Sequence, residues 1–92
     1  KELARQNLLL SMKQARDKFL TALDQYKTQK ENKELAKRVF DDNATKFKEG
    51  MASSTEFMQA NNQYLQTVSN YVGATVQLLN AKIQLDKLMN DL

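Results

Sequence analysis

Side chains able to do chemistry are scarce in this sequence and poorly spaced for it. The chain has no histidine and no cysteine, which removes the commonest general base and metal ligand together with all thiolate and disulfide chemistry. Ser53 and Ser54 have no histidine or other evident base beside them to activate a hydroxyl. Asp41 and Asp42 are sequence neighbours, so on a helix their carboxylates point about 100° apart and do not readily share a metal ion. The only two glycines, Gly50 and Gly73, are too far apart to build a phosphate-cradling loop. No catalytic residue, metal site or cofactor is expected, and the chain does not read as an enzyme. Its net charge of +3 comes from basic residues interleaved with acidic ones, a pattern that does not call for nucleic acid as a partner.

The informative stretch is Lys46 to Phe57, KFKEGMASSTEF, which carries the signals for ending one helix and starting another. Lys46 and Lys48 place positive charge at a helix C-terminus, and Gly50 follows as the residue that takes left-handed backbone angles without a Cβ clash. The first helix is therefore expected to end at about Glu49. Ser53 and Glu56 have capping-box spacing, in which the hydroxyl accepts from the N–H of Glu56 and the carboxylate reaches back to the N–H of Ser53. Only Gly50, Met51 and Ala52 remain to join the two ends, so the helices must run antiparallel.

Both flanks support this reading. The first half carries Met12, Phe19, Tyr26, Phe40 and Phe47 at seven-residue intervals, with Lys33 in the gap, and Leu8, Ala15, Ala22, Gln29, Ala36 and Asn43 interleaved. The second half carries Phe57, Tyr64, Tyr71, Leu78, Leu85 and Leu92, interleaved with Ala60, Thr67, Ala74, Ala81 and Leu88. Alternating steps of three and four make coiled-coil seams, and alternating bulky with small residues lets two helix axes approach closely. Lys33 is expected to snorkel past the seam to water, and Gly73 to mark the close approach of a neighbouring backbone. The fold class is all-α: a long antiparallel helical hairpin of coiled-coil type with its tight turn near Gly50. Helices of about 45 and 39 residues give a length of roughly 60 to 70 Å. Residues 1–92 are expected to form a single helical-hairpin fragment of a larger protein, with helices at about 2–49 and 54–91 and a turn at 50–53.

A second apolar row, Met58, Leu65, Val72 and Leu79, lies about 100° around the helix from the first, which suits neighbours on two sides. From Phe57 to Ala81 there is no charge. The polar positions there are amides, Gln59, Gln63, Gln66, Asn70, Gln77 and Asn80, which fit either a solvated face or the wall of a water-filled space. No apolar run approaches the length of a membrane-spanning helix. Such a hairpin has no second layer to cover its remaining apolar surface, so the isolated fragment is expected to self-associate.

An aromatic residue, glycine and serine or threonine at this spacing, followed by alanine and tyrosine at seven-residue intervals, resembles the TolC family of outer-membrane efflux proteins. The segment FKEGMASSTEFMQANNQYLQTVSNYVGATVQLLNAKIQL is similar to the C-terminal of that family's two internal repeats. The resemblance covers roughly Leu35 to Leu92, with Phe47, Gly50 and Ser53 in the turn motif; the first thirty or so residues match in periodicity alone. It implies a homotrimer whose helices form a periplasmic tunnel below an outer-membrane barrel in a Gram-negative bacterium. Membrane contact would come only through barrel segments that this chain lacks. It also implies a periplasmic adaptor (membrane fusion) protein and an inner-membrane transporter as partners, with adaptor contact at Glu49, Gly50 and Met51. Glu56 falls where the family has an acidic ring in the pore, and Gln59 stands where a second would be. Phe47 and Ala52 occupy the places of a tyrosine and an arginine that close the tunnel in the family, so that network cannot form here in the same way. Two other hairpin classes have a similar outline. A secreted protein of the WXG kind needs a Trp-x-Gly turn, and this chain has no tryptophan. An adaptor's own coiled-coil hairpin needs one seam, whereas this chain supplies two.

Overall fold

A computed structural model describes residues 2–90. Two helices make up the fold, α1 from Glu2 to Lys48 and α2 from Ser54 to Asn90. They lie antiparallel along their whole common length, and the molecule measures 72 × 16 × 13 Å. Its long axis is what 47 residues of α1 produce at about 1.5 Å each. The first helix stops one residue before the expected Glu49; the expected end of the second, near residue 91, lies outside the described residues.

Burial follows the first seam. Among the described residues Ala15, Ala22, Ala60 and Ala74 are buried, each 7% exposed, and the large seam residues around them are half-buried, with Phe47 at the tip end more exposed. Alanine at these positions brings the axes close enough for the larger rings to meet across the interface. Phe40 lies between Phe57 and Tyr64 at centroid distances of 5.7 and 5.6 Å, and Phe47 stacks on Phe57 at 5.0 Å. Such pairs contribute about 0.5–1.5 kcal/mol each beyond their buried area, so this run of four rings stiffens the end of the hairpin near the turn.

Midway along, Tyr26 and Tyr71 meet ring to ring at 5.4 Å and share a hydrogen bond between their hydroxyls at 3.2 Å. The Lys33 ammonium does not simply run out to water: it sits 4.5 Å from the Tyr71 ring centroid. The electron-rich face of the ring accepts the cation where a gap in the apolar seam would otherwise leave it unpartnered. The hydrogen bond to Tyr71 raises the Tyr26 pKa above its ordinary 10.0, and the bond from Tyr26, helped by Lys33, lowers that of Tyr71. Either hydroxyl can donate in this bond.

Gly73 corrects one expectation. A Cβ built there meets nothing within 4 Å, and the residue lies on an exposed face, so no backbone of this hairpin presses on it. Gly73→Ala is expected to stabilise the hairpin by about 1 kcal/mol, the helix-propensity difference. Thermal unfolding followed by circular dichroism checks this; a fall in melting temperature would show a hidden backbone constraint.

Candidate functional site

The tip is built from the end of α1 and the start of α2. The Met51 N–H donates to the Lys46 carbonyl at 2.8 Å and the Gly50 N–H to the Phe47 carbonyl at 3.1 Å. These are the paired closing bonds of a glycine-terminated helix, and Gly50 has the required φ of +74°. They turn the chain out of the helix after Lys48, which explains the early stop. Lys46 and Lys48 lie in the last turn, beside the negative end of the helix dipole.

The restart is set by Ser53. Its hydroxyl accepts from the Glu56 N–H at 3.1 Å, and its carbonyl accepts the first bond of α2 from the Phe57 N–H, also at 3.1 Å. That is the geometry of a helix N-cap, but of the expected capping box only this half forms: the Glu56 carboxylate does not bond back to the Ser53 N–H. The Glu56 side chain is exposed, one helical step from Gln59, which is exposed on the same face.

Glu49, Gly50 and Met51 come together at the apex, all exposed. In a glycine-terminated helix the residue after the glycine commonly packs its side chain on the last turn. Here that turn presents Lys46 and Thr45, and Met51 remains 74% exposed. A flexible, polarizable thioether projects from a rigid two-helix end with little of its own chain to cover it. Ala52 beside it is half-buried. The structure thus separates two groups at the tip: Gly50 and Ser53 hold the turn, while Glu49 and Met51 face outward. The ring cluster of Phe40, Phe47, Phe57 and Tyr64, which braces this end, was visible in the sequence only as separate heptad positions.

Substitutions can test the two turn residues. Ser53→Ala is expected to cost about 0.5–2 kcal/mol through the lost cap. Gly50→Val is expected to cost at least about 1–2 kcal/mol, all of it backbone strain, because a Cβ at Gly50 meets nothing within 4 Å. Denaturant titration of both variants reads the costs, and Gly50→Asn should recover part of the loss, since asparagine tolerates the left-handed region.

Among the described residues no group of histidine, cysteine or carboxylate side chains could hold a metal ion, and no helix is long and apolar enough to cross a membrane. The family model described as outer membrane efflux protein matches residues 2–91. The chain belongs to the outer membrane efflux protein family. Members are components of outer-membrane efflux channels, transport proteins rather than enzymes, and generally act as trimeric ducts with adaptors. The match spans both helices, so it includes the first thirty residues, in which the sequence reading found periodicity alone. It separates this outer membrane efflux protein segment from the WXG and adaptor-hairpin alternatives. No curated protein and no solved structure gives a significant match to the chain.

Proposed function

We propose that this hairpin is a wall segment of the periplasmic helical tunnel of a trimeric outer-membrane efflux duct, with its turn as the docking point for a periplasmic adaptor. The supporting observation is the tip itself: a braced, rigid helical end from which Met51 projects almost uncovered. In this reading Glu49, Gly50 and Met51 meet the adaptor, which couples the duct to an inner-membrane transporter, while Glu56 and Gln59 face the pore. Glu56 then has two roles, with its backbone in the cap and its carboxylate at the tunnel mouth. Lateral neighbours cover the second apolar row, whose members Met58, Leu65, Val72 and Leu79 are 61%, 55%, 52% and 53% exposed in the lone hairpin. Residues 1–92 act as one structural unit of the larger protein.

Purification of the full-length protein tests the duct reading. A trimer by light scattering that forms conducting pores in planar bilayers is the expected result. A monomer without conductance would overturn it.

A further inference from the structure

The seam is lopsided. Placing the large seam residues at heptad position a and the small ones at d puts positions e and b on the flank beside the aromatic rows, and g and c on the flank beside the alanines. In an antiparallel pair the g and c residues of both helices share one surface of the hairpin. The structure shows this directly, because shallow grooves on that surface are lined from both helices. Gln25 faces Asn70, Gly73 and Gln77 in one groove, and Asn32 and Val39 face Gln63 and Asn70 in the next.

This surface carries no charge over its middle stretch, which is bounded on α1 by Asp42 and Lys46 toward the tip and by Lys18, in a groove with Gln77 and Gln84, at the other end. From Phe19 to Asp41 the first helix has nine charged residues: Asp24, Lys27, Lys30, Glu31, Lys33, Glu34, Lys37, Arg38 and Asp41. Not one falls at g or c, where Thr21, Gln25, Thr28, Asn32, Leu35 and Val39 stand. On the second helix the g and c positions read Gln59, Gln63, Gln66, Asn70, Gly73, Gln77, Asn80 and Gln84, an unbroken run of amides but for the glycine. Between Phe19 and Asp41 charge is thus segregated onto one side of the hairpin, and neutral side chains, amides and hydroxyls with the exposed Leu35 and Val39 among them, onto the other.

We infer that the amide-lined g and c surface is the bore wall, and that beyond Asp42 and Lys46, which stand at c and g near the tip, the bore carries no fixed charge for about 30 Å. The inference rests on the duct reading, and on Glu56 and Gln59 as pore residues, since these two begin the same g and c stripe. Two further features support it. Covering Met58, Leu65, Val72 and Leu79 with a neighbouring helix is favourable, whereas burying a row of amides without partners is costly, so wall assembly leaves the amides to water. The small side chains Ala15, Ala22, Ala60 and Ala74 also lie on the amide side and the aromatic rings on the other, a taper that suits the concave face of a tube. A wall of amides and hydroxyls offers hydrogen bonds to a passing solute but no ion-pairing site. Polar solutes of either sign, and uncharged ones, would pass this stretch alike, and Glu56, with Asp42 and Lys46 of α1, would set the charge at the mouth.

The test is single-cysteine labelling in the full-length trimer during planar-bilayer recording, with a membrane-impermeant quaternary-ammonium thiosulfonate as probe. Gln66→Cys and Gln77→Cys channels are expected to lose conductance in steps as the probe reacts and to shift toward anion preference, whereas Leu65→Cys and Leu79→Cys channels stay unchanged. The unreacted conductance of each variant reports its folding, and Asn70→Cys replaces any variant that fails to conduct before the probe is added. Block at Leu65 and Leu79 with none at Gln66 and Gln77 would overturn the bore assignment while leaving the duct intact. A full-length protein that forms no pore would overturn the duct reading, and this inference with it.

Discussion

Replacing Met51 by aspartate in the full-length protein is expected to weaken adaptor docking about a hundredfold or more and efflux with it, while helix content and melting temperature stay near their original values. The expectation follows from how the tip divides its work. Gly50 closes α1 and Ser53 opens α2, both through backbone-directed hydrogen bonds, so the turn does not depend on the Met51 side chain. At 74% exposure Met51 has almost no burial to lose in the hairpin. A docked apolar side chain, by contrast, contributes roughly 1.5–3 kcal/mol on burial, and a carboxylate in its place must be desolvated without a partner. A combined loss of several kcal/mol corresponds to at least about a hundredfold weaker binding. Glu49 beside it would add repulsion from a second negative charge. Susceptibility of cells carrying the variant to efflux substrates, with outer-membrane abundance measured in parallel, reads the result. Normal abundance with normal efflux across substitutions at Glu49, Gly50 and Met51 would reduce the tip to a structural turn.

The two-helix fold was legible because each local signal agreed with the global one. Seven-residue spacing on both flanks, lysines before Gly50 and a serine three residues before Glu56 all point to the same hairpin, and local agreement of this kind is what makes a sequence specify one fold. Two readings failed where cross-helix register decides the outcome. A lysine in an apolar seam is expected to snorkel to water, whereas the Lys33 ammonium lies over Tyr71, brought opposite by antiparallel pairing. Glycine in a helix commonly marks a close backbone, but Gly73 borders an open groove between the helices, where a Cβ meets nothing within 4 Å. The amide surface shows the same limit. Its members are plain in the sequence of α2, yet only the pairing of the helices shows that the neutral positions of α1 lie on the same side. The adaptor, the pump and the transported solute leave no comparable mark, since a partner's identity depends on complementary surfaces that this chain does not contain.

The isolated 92-residue hairpin is expected to self-associate through the face that the lone structure leaves bare. It exposes 7249 Å², whereas a compact monomer of 10.6 kDa exposes roughly 5,500 Å². The excess of about 1,700 Å² is twice what one partner contributes to a standard interface, which matches a hairpin built for a neighbour on each side. Fifteen large apolar residues among those described are exposed, and in α2 they are ordered: Val72, Val76, Leu79 and Ile83, all 51–53% exposed, follow steps of four, three and four along one stripe. Two hairpins that lay these stripes together make a four-helix bundle, the simplest closed solution for amphipathic helices of this length. A bundle of this kind would borrow the lateral contact of the tunnel wall without copying the trimer. Val72→Lys with Leu79→Glu should therefore leave each hairpin's seam intact, because neither residue lies in it, and shift the fragment to a monomer of lower melting temperature. Losing two buried aliphatic side chains per chain removes about 3–6 kcal/mol of association free energy per hairpin, enough to move a micromolar complex beyond the millimolar range. Analytical ultracentrifugation at micromolar concentration reads the outcome. A parent fragment that sediments as a stable, fully helical monomer would show that the exposed stripe is tolerated by water, and would remove the argument that it marks a neighbouring helix.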